Sequence, residues 1–190
     1  MSSASNSKLD GPAPKKGRWE DECIGFFGKD LKDILQPHEN AFVVTLQIEG
    51  FDVKRVIIDQ GSGAKIMYLD LYDGLGHTSW VLTKYDSPLV AFGKTILMPA
   101  GQVSLPAEVE GRKEMVNFIV VHSYSPYTAI LGCPWIHAMG VVPSSLHQKV
   151  KFPIEQGIVE VRGDQSVARR CQVVVVGHRK EDRTDLVALL

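Results

Sequence analysis

The sequence predicts an all-β fold, a small barrel or sandwich carrying one or two short helices. Short runs rich in Val, Ile and Phe recur along most of the chain, separated by turn residues. Helical spacing is confined to short stretches, and no internal repeat of solenoid length occurs. With 44% apolar residues among 190, one domain can bury a core of its own.

Residues 1–37 read as a flexible spacer of Ser, Lys, Gly and Pro. Ile24, Phe27, Leu31 and Leu35 interrupt it with the spacing of a short helix over 23–35. From His38 the pattern becomes strand-like, with 42–48 and 53–58 flanking the turn Glu49-Gly50-Phe51-Asp52. This hairpin runs into Asp59-Gln60-Gly61-Ser62-Gly63. Ile66, Leu69, Leu71 and Leu75 then predict a helix that stops at Gly76. Strands are expected at 88–92, 96–98, 102–109 and 115–122, with a turn at 110–113. Ala129-Ile130-Leu131-Gly132 precedes Cys133-Pro134 and a short helix at 135–139. Strands at 150–152 and 157–161 follow, and 166–190 reads as a C-terminal tail or linker. The folded domain is thus expected over 38–165.

Charge narrows the function. Lys plus Arg number 21 against 22 Asp plus Glu, a net charge of -1. A dedicated nucleic-acid or membrane binder would carry an excess of positive charge, so neither partner is expected. Three distant cysteines, Cys23, Cys133 and Cys171, suggest neither a disulfide framework nor a zinc cluster. No apolar run approaches the roughly 20 residues of a membrane span. The first residues lack the apolar stretch of a secretion signal, so a cytoplasmic or nuclear location is expected. There is no phosphate-binding loop and no Gly-x-Ser-x-Gly elbow, and neither a metal nor a cofactor is expected.

The most informative position is Asp59, which ends an apolar run and opens a glycine-rich turn. Glycine lets the backbone bend sharply there, and a strand-end carboxylate on such a turn can project into a cleft. Other blocks follow in order: Ser87-Pro-Leu-Val-Ala-Phe92, Val116-Asn-Phe-Ile-Val-Val121, Ala129-Ile-Leu-Gly-Cys-Pro134, Lys151-Phe-Pro-Ile154 and Val161-Arg-Gly-Asp-Gln165. Together with Val56-Ile-Ile-Asp-Gln-Gly-Ser-Gly63 they resemble the retropepsin-like aspartic protease segment of plant gypsy-class retrotransposon polyproteins. The resemblance spans roughly residues 38–172.

The resemblance implies a retropepsin-like closed β-barrel, one lobe of an aspartic protease, acting as an endopeptidase on polyprotein peptide bonds. Asp59 would be the catalytic acid and base, within a loop shaped by Gln60, Gly61, Ser62 and Gly63. Ile130, Leu131 and Gly132 would support that loop from behind. Val90, Ala91, Phe92, Gly93 and Lys94 would form a flap over the substrate. Asp59 is the only Asp followed by x-Gly, so the second carboxylate would come from a second copy in a homodimer. Gln60 stands where the family usually has Thr, Ser or Asn, and Cys133 where it has Arg. A weaker dimer is expected from Gln60. The alternative is a catalytically inactive dimeric binding or scaffold module on the same fold.

Overall fold

Period-two burial builds most of the chain. In the computed structural model, which describes residues 23–76, 82–90 and 96–173, β1 (Val43–Ile48), β2 (Phe51–Asp59), β6 (Gly101–Val109) and β7 (Arg112–Val121) form two antiparallel hairpins. Along β6 every second residue is buried, from Gly101 to Val109, so one face makes core and the other meets solvent. With β3 (Lys65–Tyr68) and β8 (Ala129–Gly132) these strands close a barrel in the order β1-β2-β8-β3-β7-β6. The seam is β1 against β6, where Ile48 faces Ala107. Closure leaves those strands no free edge. Val56, Met67, Phe118 and Leu131 fill the interior, each fully buried, and Trp135 of α2 (Cys133–Met139) caps the same core.

Two further sheets flank the barrel. β4 (Leu89–Val90) and β5 (Ile96–Leu97) make a small hairpin. β9 (Val142–Ser144), β10 (Lys149–Ile154) and β11 (Gly157–Arg162) make a three-stranded sheet with β10 in the middle.

The helix expected over 66–75 is instead strand β3 followed by α1 (Leu69–Gly74). The barrel needs Ile66 and Met67 between β7 and β8, and that pairing overrides the helical spacing of the leucines. The expected stop does fall at Gly76, which has a left-handed φ of 71°. The stretch 23–35 holds one 3-10 turn, Gly28–Leu31, in place of an amphipathic helix. Residues 165–173 form a helix, α3, where a tail was expected, and Ala168 and Cys171 are buried. Asp164 caps α3: its Oδ1 accepts from the backbone N of Ser166 and Val167 at 2.9 and 3.0 Å.

The N-terminal segment is tied down by charge. Asp30, 3% exposed, accepts from Lys151 Nζ at 2.9 Å, Lys149 Nζ at 3.2 Å and the backbone N of Phe27 at 2.8 Å. The Lys151 bond foremost holds the Asp30 carboxyl far below the usual carboxylate range. Phe26 adds a stacked contact with His147, ring centres 5.1 Å apart, and Lys151 lies over its ring. These residues belong to the packed body, in contrast to the expected spacer.

β2 also carries an irregularity. Val44 pairs with Val56 and Leu46 with Val53, so Lys54 and Arg55 together oppose Thr45 in a β-bulge. Arg55 sits there at φ 62°, a left-handed conformation that costs a residue with a Cβ about 1–2 kcal/mol.

Candidate active site

Asp59 is the last residue of β2, and the parallel strand β8 runs beside it so that Asp59 is in register with Gly132. The chain then turns. Gly61 N donates to Asp59 Oδ1 at 2.8 Å and Ser62 N to the Asp59 carbonyl at 3.3 Å. This is the local turn that an aspartate favours, its own side chain accepting from the backbone two residues on. Ser62 Oγ accepts from Ala64 N at 3.2 Å and donates to the Ala64 carbonyl at 3.3 Å, tightening the far side.

Gly132 explains how the two segments pass. A Cβ at this position would lie 2.3 Å from the Ser62 carbonyl oxygen and 2.4 Å from that of Ala64. Only a residue without a side chain allows the end of β8 to run this close behind the loop. The next residue anchors it twice. Cys133 N donates to the Ser62 carbonyl, and Cys133 Sγ to the Gln60 carbonyl, both at 2.8 Å. Gln60 is exposed and its amide donates to the Pro143 carbonyl of β9 at 3.4 Å. Cys133 is therefore in contact with the loop backbone through both its amide and its thiol.

Above this loop lies a groove of about 760 Å³, lined by Asp59, Gly61, Ser62, Gly63 and Ile130 at its base. Leu131 points away and is fully buried in the core. Residues of the β4–β5 pair also line the groove. Leu89 pairs with Leu97, and both line the cavity, while Val90 pairs with Ile96 and both are more than 60% exposed. Of the expected flap, Val90 lies at the groove rim, and Ala91, Phe92, Gly93 and Lys94 fall outside the described residues.

The structure thus brings Asp59, the 60–63 loop and 130–132 to one place. It adds Tyr68, Tyr85, Leu97 and Ile119 to the lining, none of which the sequence marked out. Ile119 shows no more than its place in the apolar run 118–121, and its position in the groove depends on β7 lying beside β3. Tyr68 was hidden by the helical spacing of its neighbours. Among the described residues, no three His, Cys, Asp or Glu side chains gather as a metal site.

No protein-family model and no curated protein matches the sequence. Solved structures do. The retroviral protease-like domain of Ddi1 from Leishmania major matches at 17% identity and a TM-score of 0.52, covering 67% of this chain and 96% of that one. The EIAV protease complexed with the inhibitor HBY-793 matches at 16% identity and a TM-score of 0.46, covering 56% of this chain and 94% of that one. The closed six-stranded barrel with few short helices is a retropepsin-like fold.

Proposed function

We propose that this chain is an aspartic endopeptidase that works as a homodimer, each copy supplying one Asp59. The observation that carries the reading is the position of Asp59: a strand-end carboxylate at the base of an open groove that Leu89, Val90 and Leu97 also line. Its Oδ1 is oriented by Gly61 N, and among the described residues Oδ2 has no hydrogen-bond partner, leaving it to address a water or a carbonyl. Two such carboxylates held together share one proton. One then activates water while the other protonates the peptide carbonyl. Because the chain holds a single Asp-x-Gly, the second carboxylate must come from a second copy. A peptide would lie extended between hairpin and loop. The six sequence blocks support an origin in a plant gypsy-class retrotransposon polyprotein, with that polyprotein as substrate.

One feature favours the inactive-scaffold reading. Gln60 lacks a hydroxyl and directs its amide to Pro143 of its own chain, so it contributes no short brace toward a partner. Peptide cleavage separates the two readings. The native chain should hydrolyse an apolar fluorogenic peptide at mildly acidic pH, and Asp59→Asn should lower the rate by roughly 10²- to 10⁴-fold while keeping the fold. A statine-type mimic of the tetrahedral hydrate should inhibit, and a chelator should not. No cleavage by the native chain favours the scaffold. Full activity in Asp59→Asn, or full inhibition by the chelator, overturns the mechanism.

A further inference from the structure

Tyr68 lines the groove over Asp59 and also a second cleft of about 390 Å³ on the same barrel. The second cleft lies between the β2 bulge and α3, and its charged groups are Lys54, Arg55 and Arg170 against a single carboxylate, Asp70. Among the described residues none of the three cations is in an ion pair. Regular strand alternation would turn either Lys54 or Arg55 into the barrel. The bulge, with Arg55 in the left-handed region, leaves both exposed between buried Val53 and Val56. Thr128 holds this backbone in place, its N donating to the Arg55 carbonyl at 3.1 Å and its hydroxyl to the Lys54 carbonyl. From the other wall, α3 supplies Val167, Arg170 and Cys171, spaced i, i+3 and i+4. Burial raises the Cys171 thiol, and the fields of Arg55 and Arg170 both act against that shift, so the two guanidinium groups converge on one region.

We infer that this cleft is a distal subsite that takes an acidic stretch of an extended peptide substrate. The inference rests on the endopeptidase reading above. Continuity through Tyr68 favours a peptide over a separate ligand. Arg55 precedes Asp59 by four strand residues, roughly 13 Å, a distance that an extended peptide covers in about four residues. Carboxylates pair with guanidinium groups in short, charge-assisted hydrogen bonds, and tyrosine rings give flat contact area with a polar edge. Such charge complementarity selects among substrates and speeds encounter.

The test uses the full chain carrying Asp59→Asn, so that no peptide is consumed. Two labelled peptides share an apolar centre. One ends in Glu-Asp-Glu and the other in Gln-Asn-Gln. By fluorescence anisotropy the acidic peptide should bind about tenfold more tightly at low salt, the margin shrinking as salt rises. Arg55→Asn together with Arg170→Gln should erase the preference, asparagine being chosen because it tolerates the left-handed backbone. Asp70→Asn should enlarge it. Equal binding of the two peptides, or a preference that survives both arginine changes, overturns the subsite. Equally tight binding of a single-stranded oligonucleotide of similar charge overturns its assignment to peptides. Cleavage by the native chain without any acidic preference removes the subsite alone. The preference without cleavage removes the peptidase reading and leaves an acidic-peptide cleft.

Discussion

Asp30 and Asp59 are both aspartates beside a tight turn, and the fold surrounds them in opposite ways. Asp30 is buried, with two lysine ammonium groups and a backbone N–H on its oxygens. Asp59 is half-buried at the base of a groove, accepts from the backbone N of Gly61, and is in no ion pair among the described residues. Burying a charge demands full compensation, and a carboxylate so compensated is locked in one protonation state. Asp30 therefore serves as an anchor, while Asp59 keeps an oxygen and access to the groove. The surroundings decide which of the two can do chemistry.

The largest stability effect should come from the anchor. Asp30→Ala leaves Lys149 and Lys151 without their central counter-charge, and breaking a buried pair costs roughly 3–5 kcal/mol. Lys149 keeps Glu160 at 3.1 Å and Lys151 keeps the Gly25 carbonyl at 2.9 Å, so a loss near the lower end, about 3 kcal/mol, is expected in denaturant unfolding. The same residue shapes the acid response. Its carboxyl lies far below the ordinary range in the folded chain, so in acid the unfolded chain binds more protons than the folded one. The stability from Asp30 is complete above about pH 4 and is lost as pH falls through the depressed folded value. Unfolding free energy followed downward from neutral pH should fall less steeply in Asp30→Ala. It should not become flat, because Asp164, held low first by the Ser166 hydroxyl, titrates in the same direction.

The next effect belongs to the Asp59 side. Gly132→Ala places a methyl against two carbonyl oxygens and should cost about 2 kcal/mol by overpacking, or displace the loop. Either outcome should reduce peptide cleavage per folded molecule, which Asp30→Ala should leave unchanged. Equal activity losses in the two variants would erase the distinction between anchor and site. Asp164→Ala is intermediate, removing the α3 cap for about 1 kcal/mol. Smallest of all, Gln60→Ala should change unfolding of the single chain by less than about 0.5 kcal/mol, since its contact is long and exposed. Gln60→Thr should tighten self-association measured by sedimentation.

The sequence made this site more legible than its frame. Asp59 was visible because an apolar strand ending in Asp-Gln-Gly-Ser-Gly combines a carboxylate with a forced turn, and both signals are local. β1, β2, β6 and β7 were visible because hairpins pair neighbours in sequence. The pairing of β2 with β8, which sets Gly132 behind the loop, joins residues about 70 apart and leaves no periodic trace. Asp30 was illegible for the same reason, 119 and 121 residues from its two lysines. In a composition-based reading those lysines look like solvated charge. Arg55 was hidden by a bulge, which alternation cannot reveal because a bulge is a break in alternation.

Whether Asp59 works in pairs can be read from mixed dimers. Native and Asp59→Asn chains are combined at fixed total concentration, allowed to exchange, and assayed for peptide cleavage. If each active unit needs one Asp59 from each of two chains, an equal mixture holds about one quarter of its dimers with both, and the rate should fall to about one quarter of the native value. A fall to one half would show that each chain cleaves on its own, and would rule out a dyad shared between two copies.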